Sequence, residues 1–447
     1  MPVTRRAFLH QTFVVGPVVL ALGMETDRAE AQGGPECTLP TPPPATRFIP
    51  NEPTVVARLS AAELAAPGRA TQLQQFRDAV GLVRNLPPTD VISWTKEIAQ
   101  HCINCAPSNA NNIHFNWQFL TWHRAYLYFL ERILRKLSNH NDLRLVYWDW
   151  ENPSSRVLPE IYAPSGQSLF WGNRGTLSAP KWPLSNAKVA VQSRLAIPDF
   201  ATFGGTATES SPTPAAFTGP HANVHNNFAP GDMADLQFSP RDPVFYAHHG
   251  NIDRLWTSWV KAGHTNPNFG NARVFFYDET RKWRFVLMND LKDESKLGYK
   301  YSTLMTPTTP VNQLRQFALQ KTDAHFKMPP AATPMLMAAT PKPHHLIIGN
   351  IRNLDRFAAQ ITEFGIFLGT PTVGADAEKA KGYLGMVARV RSGDHAHPGP
   401  LSAALDVTGK LAELQGDVEL TVAPLDDSGN VAAGAMPLVA DTIRLVG

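Results

Sequence analysis

Hydrophobic positions along the chain recur most regularly at helical spacing in residues 121–138. The apolar face of this segment comprises Trp122, Tyr126, Phe129, Leu130, Ile133 and Leu134. Arg124 and Glu131 fall on the polar side, so the pattern predicts a long core helix with a polar face. A second apolar run leads into a tryptophan-bearing segment at residues 244–256 and predicts another helix.

The pattern changes from residue 344 onward. Short alternating or β-branched runs, such as HHLIIGNI and DVELTVAPL, are separated by Gly, Pro and Asp turns, as is typical of a small antiparallel β-sandwich. Residues 154–219 are rich in Ser, Thr, Pro and Gly and predict long loops. The chain therefore reads as an α+β multidomain protein, with a mainly α domain at 32–335, a linker at 336–344 and a β-sandwich at 345–447.

The first residues read as a targeting segment. Arg5 and Arg6 precede an apolar run at residues 13–24, and Ala29-Glu30-Ala31 resembles a cleavage site. The apolar run has about twelve residues, short of the roughly twenty that a membrane span needs. We expect residues 1–31 to be a twin-arginine signal peptide and the mature protein to be periplasmic or secreted, without a membrane anchor.

Charge and composition narrow the classes of partner. The formal net charge is +3, and no basic block is long enough to indicate nucleic-acid binding.

The three cysteines, Cys37, Cys102 and Cys105, include a CxxC pair, but there is no second CxxC to complete a zinc site.

Histidines supply the candidate chemistry. His221 and His225 lie four residues apart, so that in a helix both imidazoles lie on one face and reach one metal ion. A third imidazole comes from His248 or His249; only one of them can point the same way, because neighbours on a helix face about 100° apart.

Another histidine triplet, the first along the chain, lies upstream at His101, His114 and His123. Six neutral imidazoles without a carboxylate or thiolate suit copper or zinc, and two three-coordinate sites leave open positions for a bridging small molecule. This composition indicates a dinuclear copper centre.

Five ordered motifs carry a family resemblance. They are HCINC at residues 101–105, the nine-residue step from His114 to His123 followed by RAYLYFLER, YWDWENP at 147–153, HANVH at 221–225 and DPVFYAHHGNIDRLW at 242–256. With KLGYKY at 296–301, the chain resembles the type-3 copper proteins, most closely plant-type polyphenol oxidases, in a bacterial twin-arginine-exported form.

The resemblance implies a four-helix bundle that holds two copper ions. Copper A would be bound by His101, His114 and His123, and copper B by His221, His225 and His249. It also implies a Cys37–Cys102 disulfide, a thioether between Cys105 and His114, and a C-terminal domain that acts as a lid.

The implied activity is the oxidation of o-diphenols to o-quinones by O2. Relatives that hydroxylate monophenols often have Asn and Glu where this chain has Ala222 and Phe217. Glu209, in the preceding loop, is a candidate substitute for the missing Glu. Leu236 replaces a bulky gate residue, and Asn226 and His248 complete the predicted substrate pocket. Asp253 lies four residues after His249, within reach to orient it.

Several other functions stay open at this point. The alternatives within the fold are a tyrosinase with full monophenolase activity, an o-aminophenol oxidase and, more distantly, a haemocyanin-like O2-binding protein. A zinc hydrolase would need a carboxylate near the metals as a base.

Overall fold

The structure is a computed structural model that describes residues 37–105, 112–175, 182–208, 213–322, 325–332, 343–358, 360–392, 395–396 and 400–447. The predicted signal peptide at 1–31 and Glu209 lie outside these residues. Within them, none of the helices combines the length and apolar character that crossing a bilayer requires.

Helices dominate the first domain. The α-helices of the described residues are α1 (Ala61–Ala65), α2 (Ala70–Arg84), α3 (Trp94–Asn104), α4 (Gln118–Ser138), α5 (Gln192–Leu195), α6 (Phe200–Gly204), α7 (Ala222–Asn226) and α8 (Val244–Lys261). A π-helical turn, Phe217–His221, precedes α7 and contains a kink at Gly219. Five short strands border the helices: β1 (Thr46–Arg47), β2 (Val56–Arg58), β3 (Arg273–Tyr277), β4 (Trp283–Leu287) and β5 (Tyr299–Tyr301).

Helix α4 confirms the long helix predicted at 121–138 and ends at Asn139, whose left-handed conformation (φ 57°) stops it. The prediction that this helix has a polar face is wrong in part. Arg124 and Glu131 are 1% and 0% exposed, because α4 is covered on that side as well. Both charged groups are therefore paired inside the protein, as burial of a charge requires.

The buried charges form one network centred on Asp253 of α8. The Asp253 carboxylate accepts hydrogen bonds from Arg124 Nε at 2.5 Å and from the hydroxyls of Tyr299 and Tyr301 at 2.5 Å. Arg58 lies 3.4 Å from the same carboxylate. The network links strands β2 and β5 to helices α4 and α8, which carry the predicted copper ligands His123 and His249.

We expect Asp253→Asn to destabilise the protein by about 3–5 kcal/mol, because removing one partner of a buried ion pair leaves the other charges uncompensated. A fall in melting temperature measured by circular dichroism checks this. Asp142→Asn is the matched control, since Asp142 is exposed and should leave the melting temperature unchanged. An equal effect of both substitutions would contradict the assignment.

The same network predicts a dependence of stability on pH. Burial by itself raises the pKa of Asp253, but Arg124 and Arg58 outweigh it and hold the pKa below the ordinary value of 3.8. A lowered carboxyl pKa contributes stability above the ordinary pKa, and this contribution is lost as the pH falls through the folded-state value. Melting temperatures below about pH 4 should therefore fall more steeply in the parent protein than in Asp253→Asn.

The second domain contains two large sheets and a separate two-stranded sheet formed by residues 391–392 and 395–396. Its strands are β6 (Gln316–Ala318), β7 (Gln320–Thr322), β8 (His325–Lys327), β9 (His345–Ile351), β10 (Glu363–Leu368), β11 (Tyr383–Ala388), β12 (Arg391–Ser392), β13 (His395–Ala396), β14 (Leu401–Asp406), β15 (Asp417–Pro424), β16 (Met436–Pro437) and β17 (Ala440–Val446). One sheet has the order β11-β10-β15-β8-β7, with β16 beside β15, and the other has the order β14-β9-β17-β6. A shared apolar core contains side chains from both sheets, among them Phe364 and Leu420 from the first and Ile348 and Ile443 from the second.

The second domain begins earlier in the chain than predicted. Strand β6 pairs with β17, and β8 pairs with β15, so that residues 316–327 belong to the C-terminal sheets. The expected boundary at residue 335 therefore lies inside this domain. Three-residue strands are too short to show an alternating pattern in a Thr- and Pro-rich stretch, and their partners lie about a hundred residues away.

The two domains contact each other beside the segment that carries His221 and His225. Asn226 donates to the carbonyl of Arg389 at 3.1 Å, and Thr218 donates to the carbonyl of Ser402. Lys188 forms an ion pair of 2.9 Å with Glu363. The second, C-terminal domain therefore covers the first-domain residues around His221 and His225.

Candidate metal centre

The first histidine triplet is assembled by two helices and the turn between them. His101 lies in the last turn of α3, His123 in the second turn of α4, and His114 in the turn before α4. Their ring centroids are 5.1–5.4 Å apart. The Nε2 atoms of His101 and His123 lie 3.3 Å apart. The structure thus brings together the three residues that the sequence assigned to copper A.

The second triplet lies on α7 and α8. His221 follows the kink at Gly219 and Pro220, and His225 lies one turn further on, with the two ring centroids 4.5 Å apart. His248 and His249 of α8 both have ligand atoms within 4.8 Å of those of this pair.

The two clusters adjoin each other in the core. The rings of His123 and His249 stack with centroids 4.3 Å apart, and the rings of His114 and His221 lie 6.3 Å apart. Phe217 and Phe119 pack against His221, at 4.9 and 4.8 Å. Histidines from separate elements therefore line one apolar, water-excluding site.

Main-chain carbonyls orient two of the rings. His123 Nδ1 donates to the carbonyl of Phe119 at 2.7 Å, and His225 Nδ1 donates to the carbonyl of Met233. With the proton fixed on Nδ1, the Nε2 lone pair of each ring faces the interior of its cluster. Such hydrogen bonds are the usual support of metal-bound histidines.

Burial keeps these imidazoles neutral. It lowers the pKa of His123 to about 3 and of His225 to about 4, and it lowers the pKa of His101, His221 and His249 well below the ordinary range. Neutral rings offer the lone pairs that a metal ion needs.

The donor set fits copper. The metal-ligating groups that cluster here are all histidines, without a carboxylate or thiolate among the described residues. Buried nitrogens without a hydrogen-bond partner include Nε2 of His225 and both ring nitrogens of His221 and His249. Two adjoining sets of imidazoles suit a pair of copper ions.

A hydrogen bond from Trp150 distinguishes His248 from His249 as a possible metal ligand. Its indole N–H donates to His248 Nδ1 at 3.2 Å, which places the proton of the neutral His248 ring on Nε2. Neither nitrogen of His248 then offers a lone pair to a metal, whereas both nitrogens of His249 lack a partner. The geometry favours His249 as the third ligand. No sequence pattern predicted this hydrogen bond.

The structure corrects the role expected for Asp253. Its carboxylate is occupied by Arg124, Tyr299 and Tyr301, and the His249 ring makes no hydrogen bond to a described residue. Four residues along a helix bring Asp253 to the same side as His249, but the two basic residues and two tyrosines draw the carboxylate away. Asp253 supports the fold instead of orienting His249.

The predicted pocket residues lie around the second triplet. Ala222, Leu236 and His248 are 0–1% exposed, and Asn226 is 8% exposed. The carbonyl of Leu236 lies beside the His101 ring. Because the Asn226 amide donates to Arg389 of the C-terminal domain, this residue faces the covering domain and not open solvent.

Cysteines flank the first triplet as the resemblance implied. The Cys37–Cys102 disulfide is present, which confirms that pairing and ties the N-terminal arm to α3. Cys105 is a buried thiol that takes part in no disulfide. Burial raises the pKa of this thiol well above its ordinary range.

Comparisons with known proteins agree on one family. Residues 91–192 and 173–262 match the family model for the common central domain of tyrosinase. Aureusidin synthase of Antirrhinum majus is 28% identical over 347 residues, which cover 64% of this chain and 62% of that protein. The chloroplastic polyphenol oxidase of Vitis vinifera is 29% identical over 54% of this chain and 47% of that protein.

The fold agreement extends across both domains. The structure of latent apple tyrosinase matches 90% of this chain and 100% of that chain, with a TM-score of 0.65 and 22% identity. In sequence, the match spans less than two thirds of the length of the two curated relatives.

Proposed function

We propose that this chain, whose residues 91–262 match the family model for the central domain of tyrosinase, is a polyphenol oxidase of that family. It uses O2 to oxidise o-diphenols to o-quinones. The observation that carries this proposal is the pair of adjoining, buried histidine clusters without a carboxylate. His101, His114 and His123 would hold one copper ion, and His221, His225 and His249 the other.

The copper ions would supply O2 binding and electron transfer from the phenol to O2. The protein's part is to hold neutral imidazoles in fixed orientations through the carbonyls of Phe119 and Met233. The packed rings of Phe119 and Phe217 exclude water from the site. A rigid, dry ligand set of this kind is the usual protein contribution to metal catalysis.

Substrate preference follows from the absence of a base. Hydroxylation of a monophenol requires a group that takes the phenolic proton, whereas a catechol is oxidised more readily. Among the described residues, the two clusters contain no carboxylate, and buried Ala222 and Phe217 supply no polar group. Oxidation of o-diphenols is therefore the proposed activity. Full monophenolase activity and o-aminophenol oxidation are the alternatives within the fold.

Rates of oxygen uptake test this preference. We expect the copper-loaded protein to oxidise catechol at least about tenfold faster than tyramine, a barrier difference of about 1.4 kcal/mol. Ala222→Asn is the informative variant, because it adds a polar side chain next to His221. A parent rate with tyramine equal to that with catechol would assign the chain as a tyrosinase, and a faster rate with o-aminophenol would assign it as an aminophenol oxidase.

The thioether is a further part of the proposal. The Cys105 thiol and a carbon of the His114 ring would join in a C–S bond, with loss of one hydrogen from each and reduction of O2. We expect a cross-linked peptide lighter by a pair of hydrogen atoms in protein exposed to copper and air. Mass spectrometry checks this, with Cys105→Ser as the control. A free Cys105 thiol in fully active protein would contradict it.

The C-terminal domain is proposed to be a lid that keeps the enzyme latent. Its contacts with Asn226, Thr218 and Lys188 lie beside the second triplet and support this role. Twin-arginine export through residues 1–31 also stays a proposal.

A further inference from the structure

A cavity of about 760 Å³ lies between the two domains, apart from the histidine clusters. Residues 186–187 and 189–194 of the first domain form one wall, and residues 383–386, 404–406 and 408–410 of the second form another. Cavities of this size hold small organic molecules.

The hydrogen-bond donors on its walls are unusually poorly satisfied. Arg194, Arg156 and Tyr383 line the cavity, and Nε of both arginines and the hydroxyl of Tyr383 are buried without a hydrogen-bond partner. Buried polar groups normally have a partner, because leaving one unpaired is unfavourable. Three unpaired donors in one cavity indicate a missing acceptor.

Of these three residues, Arg194 gives the strongest indication of a missing acceptor. It is 2% exposed, and no carboxylate of the described residues forms an ion pair with it. Its Nη1 donates to the carbonyl of Ala404 in the other domain at 2.7 Å. Burial lowers the pKa of Arg194 to about 10, so the side chain still carries its charge at neutral pH.

Gly219 allows Arg194 to hold this position. A Cβ atom on Gly219 would lie 2.3 Å from Nη2 of Arg194, so a larger residue there would displace the guanidinium from this backbone. The charged side chain of Arg194 therefore lies inside the domain interface, against Gly219, which is two residues before His221.

The acidic residues on the cavity walls do not form ion pairs with Arg194. Glu151 is engaged by Arg254 and Asn251, and Asp406 accepts hydrogen bonds from the backbone and hydroxyl of Thr408. Glu378 is exposed to solvent. Arg194 itself therefore lacks a carboxylate partner among the described residues, and an anion from outside the chain could supply one.

The remaining walls are apolar. Val189 and Val191 from the first domain face the same cavity as Leu384, Met386 and Leu405 from the second. A hydrated inorganic anion gains nothing from such walls, whereas an aromatic ring does.

We propose that this cavity binds a small aromatic carboxylate, whose acidic group accepts the unpaired N–H of Arg194 and whose ring packs on the apolar walls. Tyr383 supplies a second donor from the C-terminal domain. Because its contacts come from both domains, the ligand strengthens their association. The inference does not depend on the chemistry at the metal centre.

Calorimetric titration of benzoate into the full chain tests the proposal. We expect saturable binding to one site with a Kd of about 1 mM or tighter. The affinity should be the same in copper-free and copper-loaded protein, which distinguishes this site from any binding at the metals. Inorganic phosphate should bind at least about tenfold more weakly, because it cannot use the apolar walls.

Two variants report on the donors. Tyr383→Phe removes one hydroxyl and should weaken benzoate binding about fivefold, as expected for one hydrogen bond. Arg194→Lys should weaken it by more than about tenfold, because lysine lacks the planar guanidinium fork. Arg352→Gln, which breaks an exposed ion pair with Asp441 inside the C-terminal domain and away from the cavity, should leave the affinity unchanged.

Four results would overturn the proposal: no saturable binding of benzoate, equal affinity in Tyr383→Phe and the parent protein, equal affinity for phosphate, or binding that requires copper. Tyr383→Phe keeps the test decisive if Arg194→Lys fails to fold.

Discussion

Replacement of His249 by glutamine is expected to reduce the bound copper from two ions to one and to lower the rate of catechol oxidation by more than about 100-fold. Loss of even an outer partner of a metal ligand lowers activity or metal affinity about 10–100-fold, and His249 is proposed to bind the metal directly. Metal analysis of the purified protein and oxygen uptake measure the two effects.

His248→Gln is the matched control. It changes the adjacent residue of the same helix, but the His248 ring accepts the Trp150 indole N–H and has no lone pair left for a metal. This variant should retain two copper ions. Loss of copper from His248→Gln with retention in His249→Gln would reverse the assignment of the third ligand.

Removal of the C-terminal domain is expected to raise the rate of catechol oxidation by at least about tenfold, a lowering of the barrier by about 1.4 kcal/mol. The chain should end at Pro310 and not in the predicted linker at 336–344, because β6, β7 and β8 pair with later strands or with one another. A cut in that linker would leave these strands without most of their partners. Oxygen uptake by the full and shortened proteins, normalised to copper content, gives the ratio.

A charge exchange across the interface controls for unfolding. Lys188→Glu opposes Glu363 and should activate the full chain several-fold, since like charges repel at this distance. Adding Glu363→Lys restores the ion pair and should restore latency. A folded, copper-loaded protein ending at Pro310 that is no faster than the full chain would refute the lid.

Histidine positions were the most predictable part of the site. His221 and His225 lie one helical turn apart, and His123 falls on a helix whose apolar pattern is strong, so local spacing was sufficient to group them. The family resemblance supplied what spacing does not, namely the Cys37–Cys102 pairing and the choice of His249.

Long-range partners were the least predictable part. Arg124 and Glu131 read as polar-face residues, because the sequence of α4 does not show that other segments cover that face. The position of Asp253 four residues after His249 suggested a contact, but Arg124, Tyr299 and Tyr301 compete for the carboxylate. Likewise, β6 has only three residues, and its pairing with β17 depends on a chain reversal that no local pattern encodes.

The most direct test of the proposed activity is oxygen uptake with catechol by the protein ending at Pro310, reconstituted separately with copper and with zinc. The account predicts copper-dependent consumption of one O2 for each pair of catechol molecules converted to quinone, and no consumption with zinc. Absence of uptake in a folded protein that binds two copper ions would contradict the assignment as a polyphenol oxidase.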